Sequence, residues 1–88
     1  MHIRFEGALD ALSVGDVGKT IEKVVAENPK SLTVDLGAVT MLDSRGVGDI
    51  VSLFKHITEQ GGQMRVVGAH DQPLVVLKIL ELDEVFGC

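Results

Sequence analysis

The chain has 88 residues, of which 45% are hydrophobic and 24% charged, with a net charge of −5 and a pI near 4.9. That size allows one core and no second lobe, which weighs against an enzyme with a deep cleft. The acidic balance, with no Trp or Tyr and three Phe, offers neither a basic stripe nor an aromatic platform, so nucleic acid is not an expected partner.

No apolar run approaches the ~18 residues of a membrane span, and "MHIRFEGALD" lacks the basic start and apolar centre of a signal peptide. A cytoplasmic protein without membrane insertion is expected. Cys88 is the one cysteine and the last residue, which leaves no internal disulfide and no CxxC metal cluster. His2, His56 and His70 fall in different predicted elements, none at ligand spacing from a second His or a Cys, so neither metal nor cofactor is expected. His56 reads as a helix surface residue.

In chain order, Ile3 and Phe5 alternate with His2, Arg4 and Glu6, the period-two pattern of a strand with one buried face, closed by Gly7. Val14, Val17, Ile21, Val24 and Val25 recur at helical spacing, with Ser13 and Asp16 as a capping pair and Asn28-Pro29 as the stop. "SLTVDL", Ser31 to Leu36, reads as a central strand covered on both faces, and Gly37 opens a loop. Val47, Ile50, Val51, Phe54 and Ile57 mark a second helix, ended by Gly61-Gly62. "QMRVVG" predicts a third strand, and Asp71 followed by Pro73 starts a third helix through Leu74, Val75, Leu77 and Leu80, before a short end, "ELDEVFGC". Strands alternating with helices predict an α/β fold, a mainly parallel sheet with helices packed against it.

Two motifs suggest nucleotide binding and fail on their residues. "SVGDVGKT" ends like a phosphate-binding loop, but Ser13 stands where the first Gly belongs, and "GALDAL" separates it from the preceding strand. Lys19 then reads as a solvated helix residue, and the two glycines as tolerated in a helix. "GVGDIV" provides Gly46 and Gly48 but has Val51 where a dinucleotide fingerprint needs its third Gly. No nucleophile has an evident base, so the chain is not read as an enzyme.

"VTMLDSRGVGDIVSLF" carries more information. Asp or Ser before a helix accepts orphan N–H bonds, a structural role worth about 1 kcal/mol. Adjacent Asp43 and Ser44 are redundant in that role. If Asp43 caps, Ser44 falls on the first turn with its hydroxyl free to face outward. A phosphate there adds about −1.5 to −2 charge, tolerated by the helix dipole, so its consequence falls on a docking partner and not on the fold.

From "LTVDL" through "LDSRG", "GG" and "VVG" to "LDEVF", the chain resembles the STAS domain of bacterial anti-sigma factor antagonists over about two thirds of its length, and "FEGALD" is similar to that family's "GELD" segment. The resemblance implies a single STAS-like domain over residues 1–88, with four helices and a mixed, mainly parallel sheet of about four strands, the first edge strand shortened or absent. It implies a partner that is both anti-sigma factor and serine kinase, captured by the unphosphorylated form and released on phosphorylation, and a serine phosphatase that resets the switch. Ser44 aligns with the phosphoacceptor, Asp43 with the acid that positions it, and Gly46 with the residue that lets the partner approach closely. Arg45, Val47 and Asp49 complete the implied contact surface.

Arg45 departs from the small Ser or Thr usual in the family and can pair with a phosphate or with an acidic partner surface. A bare sheet edge can pair with another chain, and a monomer or weak dimer is expected. The same domain also occurs in lipid-transport complexes and on anion transporters, so an unphosphorylated scaffold or regulatory subunit of such a complex is the alternative.

Overall fold

A computed structural model describes residues 1–9 and 14–87. Three strands, β1 (His2–Leu9), β2 (Ser31–Leu42) and β3 (Gln63–Val67), alternate with α1 (Val14–Glu27), α2 (Ser44–Glu59) and α3 (Asp71–Ile79), followed by a short α4 (Leu82–Phe86). The sheet order is β1-β2-β3 and both pairings are parallel, with Ile3 opposite Val34 and Val34 opposite Val66. The strand count is therefore three where about four were expected, and no antiparallel strand occurs among the described residues. Each parallel pair is joined through a helix, as parallel pairing requires.

One face of the sheet carries the core. Leu32, Val34 and Leu36 of β2 are fully buried and, with Ile3, Phe5, Met64 and Val66, form one cluster with Val24, Ile50, Leu53, Ile57, Leu77 and Phe86 from the helices. Fully burying side chains of this kind stabilises the fold by about 1.5–3 kcal/mol each. The opposite face is polar: His2, Arg4, Glu6, Gln63 and Arg65 are exposed, Thr33 and Asp35 half-buried. The expectation that "SLTVDL" is covered on both faces is thus corrected. Ser31, Thr33 and Asp35 alternate with the three apolar residues, the pattern of a strand buried on one side.

β1 does not end at Gly7, nor β2 at Gly37. Both run on, with register shifts between Arg4 and Glu6 and between Gly7 and Ala8. At each shift β2 has one residue more than β1, a β-bulge that turns its side chains by half a period. Buried positions in β2 accordingly change spacing from two to three, running Leu32, Val34, Leu36, Val39, Leu42.

α2 buries Val47, Ile50, Leu53 and Ile57 along one stripe. It ends with Gly61 in the left-handed region (φ +79°), the Gly61 N–H donating to the Thr58 carbonyl at 3.0 Å and the Gly62 N–H to that of Ile57 at 2.8 Å. These are the two crossed bonds of a Schellman stop. The short end of the sequence is helical and docks through Phe86, whose ring meets Phe54 edge-on at 5.4 Å. His56 is half-buried, its Nε2 enclosed without a hydrogen-bond partner, which corrects its reading as a surface residue. Gly18 and exposed Lys19 lie within α1, where the backbone is helical and forms no phosphate-binding loop. The Ser13 half of the predicted capping pair, and Cys88, lie outside the described residues.

Candidate functional site at the start of helix α2

The bulged half of β2 outruns β3, whose last paired residue, Val67, faces Asp35. Backbone groups beyond that point lose a strand neighbour and must find other partners. The Asp35 carboxylate accepts the Gly37 N–H at 2.7 Å, and the Gly37 carbonyl lies 3.0 Å from Nε2 of His70. Further along, Gln72 serves Leu42 twice: its Oε1 accepts the Leu42 N–H at 2.8 Å, and its Nε2 donates to the Leu42 carbonyl at 2.9 Å. Side chains from the start of α3 thereby replace β3 along β2. This fixes α3 beside the point where β2 gives way to α2.

At that point Asp43 is the N-cap. Its backbone is extended, its Oδ1 accepts the Gly46 N–H at 3.0 Å, and its carbonyl accepts the Val47 N–H at 2.9 Å. Ser44 is the first helical residue, is exposed, and has no side-chain hydrogen bond among the described residues. The first-turn N–H groups of Ser44 and Arg45 have no intrahelical acceptor, which leaves this helix end receptive to negative charge. Arg45 projects along the helix to Asp49, Nε to Oδ1 at 3.6 Å, with Arg45 exposed and Asp49 largely covered. A solvent-facing pair of this kind contributes about 0.3–0.5 kcal/mol and leaves the guanidinium free to exchange partners.

Gly46 is buried. A β-carbon there would collide with the Leu9 carbonyl and stand 2.8 Å from Cδ1 of Leu42, so the close approach Gly46 permits is to the chain's own β1 and β2. Val47, only 8% exposed, contributes to the core and to the wall of a cavity. That cavity, about 260 Å³, lies between Ser44 and Val47 of α2 and Val76 and Ile79 of α3 with the C-capping Leu80, and Leu42 and Asp43 also line it. Its α3 side is open and apolar: Ile79 is 74% and Leu80 50% exposed, with Val75 nearby at 54%. Ile79 and Leu80 thus present apolar side chains to solvent at the mouth of the cavity.

The sequence motif placed Asp43, Ser44, Arg45, Gly46, Val47 and Asp49 together, and the structure brings all six to one helix end. His70, Gln72 and the exposed α3 residues escaped it. A signal for the last existed: "LVVLKIL" holds more apolar residues than one helix stripe can bury.

A sequence profile of the STAS domain matches residues 1–88, the whole chain. The chain belongs to the STAS domain family. Among solved structures, this STAS domain is similar to an anti-sigma factor antagonist from Mycobacterium paratuberculosis, with 25% identity and a TM-score of 0.84 over 97% of this chain and 72% of that one. The anti-sigma factor antagonist SpoIIAA has the same fold in its unphosphorylated form, with 17% identity and a TM-score of 0.70 over 91% of this chain and 71% of that one. The Bacillus SpoIIAA in its phosphorylated form gives 20% identity and a TM-score of 0.64 over 94% and 76%. A sulfate transporter family protein from Wolinella succinogenes shares the fold as well, at 16% identity and a TM-score of 0.78 over 98% of this chain and 70% of that one. No helix among the described residues is long and apolar enough to cross a membrane.

Proposed function

We propose that this STAS domain is a phosphorylation-controlled, non-enzymatic binding module that acts as an anti-sigma factor antagonist. In the unphosphorylated form it captures a serine kinase that is also an anti-sigma factor; phosphorylation of Ser44 releases it, and a serine phosphatase restores binding. One observation carries the reading. Ser44 is exposed and its hydroxyl has no hydrogen bond among the described residues, Asp43 makes the cap bond instead, and Ser44 borders an open apolar cavity. The partner seats an apolar element between α2 and α3, with Ser44, Arg45 and Asp49 at the rim. A phosphate on Ser44 puts a hydrated dianion at the edge of that contact and opposes docking by charge and desolvation. SpoIIAA, which shares this fold, occurs in unphosphorylated and phosphorylated forms, and this supports phosphorylation as the control.

The test is phosphorylation by the cognate kinase with ATP, with the site located by mass spectrometry, beside binding measured for Ser44→Ala and Ser44→Asp. Phosphate at Ser44, tight binding by Ser44→Ala and weakened binding by Ser44→Asp are expected. Phosphate only at other residues, or full binding by Ser44→Asp, would refute the scheme. The likeness to a sulfate transporter family protein supports a second reading, a regulatory or scaffolding subunit of a transport complex that docks through the same helix end without phosphorylation. Capture of transporter subunits equally by wild type and Ser44→Asp would favour it.

A further inference from the structure

We infer that β1 is a homodimerisation strand that pairs antiparallel with β1 of a second copy, in the register centred on Phe5. Among the described residues β2 is the only strand paired with β1, and no strand of these residues pairs with the outer edge of β1. The Met1 carbonyl accepts the Thr33 N–H at 2.9 Å, and Ile3 lies opposite Val34. By strand alternation the odd-numbered residues at this end bond to β2, while His2, Arg4 and Glu6 direct their N–H and C=O groups to the open edge.

The segment from His2 to Glu6 has no proline, no lysine and no charge aimed inward, the usual means of blocking an edge. Its charges instead fit a second copy of itself. Arg4 and Glu6 flank Phe5 on the polar face, with side chains 56% and 77% exposed and held to each other only by a 4.0 Å contact. Of the antiparallel registers that align the edge-facing residues, those that set Arg4 or Glu6 opposite one of these two residues bring Arg4 against Arg4, Glu6 against Glu6, or Arg4 against Glu6, while the remaining ones set His2 opposite His2 or Arg4 and gain no ion pair. The first two place like charges directly opposite. The third, centred on Phe5, forms two equivalent Arg4–Glu6 cross-strand pairs at hydrogen-bonded positions and sets the two Phe5 residues across the axis. A three-stranded sheet then becomes a continuous six-stranded one.

Charge reversal tests the register. The wild type is expected to show concentration-dependent dimerisation in sedimentation velocity, above the 9.4 kDa of one chain. Arg4→Glu alone and Glu6→Arg alone should each weaken self-association about tenfold or more, since two attractive pairs become two repulsive ones. Mixing these two variants should restore dimers, and the double swap R4E/E6R should dimerise like wild type. Both positions are exposed, and circular dichroism verifies that each variant is folded. A wild type that stays monomeric at millimolar concentration overturns the inference, as do single variants that self-associate like wild type or a mixture that fails to associate. Ser44→Asp should dimerise normally, so the result is separable from the partner switch.

Discussion

Gly46 packs directly on the backbone carbonyl of Leu9, and a β-carbon at Gly46 would overlap that oxygen. A backbone atom in a strand cannot swing away as a flexible side-chain end can, so the collision must be relieved by lifting the start of α2. Gly46→Ala should therefore cost about 1–3 kcal/mol of stability, the usual range for an overpacked core. Gly48, two residues on, is exposed with nothing near its missing side chain. Gly48→Ala should stabilise α2 by about 0.5–1 kcal/mol. Urea unfolding of the two variants checks the contrast; equal and small effects would mean that Leu9 yields easily.

Asp43 and Ser44 separate by the same measurement. Asp43 makes the cap bond to Gly46, so Asp43→Ala should cost about 1 kcal/mol. Ser44 is exposed and bonds to nothing described, so Ser44→Ala should stay within about 0.5 kcal/mol of wild type. A large loss in Ser44→Ala would give its hydroxyl a structural role and weaken the case for a free phosphoacceptor.

The sequence revealed these two residues because cap chemistry is local: an acid, a hydroxyl and a glycine before an amphipathic run define a helix start whatever packs around it. The second half of β2 was hidden. Val39 and Leu42 are core residues, but two bulges space them by three, and a period-two reading ends the strand at Gly37. Bulges are set by pairing with β1, which no local pattern encodes. The covering of the sheet is hard to read for a related reason, since a short strand with Thr33 and Asp35 on its second face resembles a fully buried one. Gln72 and His70 could not be found at all, because their partners are about thirty residues away and are backbone groups without side-chain identity.

Gln72 is the test of that hidden half. Its amide is both donor and acceptor, matched to the Leu42 carbonyl and N–H in a partly buried position. Gln72→Ala leaves both groups short of partners and should cost about 1–3 kcal/mol. Gln72→Glu retains the acceptor, but its carboxylate meets the Leu42 carbonyl where an N–H stood. It should be comparably destabilised at neutral pH and recover in acid, where a protonated carboxyl again has one donor and one acceptor. Hydrogen exchange at the Leu42 amide should speed up in Gln72→Ala; unchanged protection would assign that amide another partner.

His70 adds a pH dependence. Its Nδ1 lies 2.7 Å from Oδ2 of Asp71 and its Nε2 3.0 Å from the Gly37 carbonyl, so both ring nitrogens face acceptors. A neutral imidazole can donate to only one of them, an imidazolium to both. The Gly37 carbonyl first, and then the Asp71 carboxylate, hold the His70 pKa above its ordinary 6.5. A folded-state pKa above the unfolded one means that the native state binds the proton more tightly. The stabilisation is then fully present below pH 6.5 and is lost as pH rises through the folded-state value. The stability advantage of wild type over His70→Ala should shrink across that window, and an NMR titration should place the ring's midpoint above 6.5. An advantage that grows with pH would refute the assignment. Because His70 immediately precedes α3, the same titration should loosen the helix that carries Val76 and Ile79, and the cavity beside Ser44 should bind its partner less tightly above the folded-state midpoint of His70 than below pH 6.5.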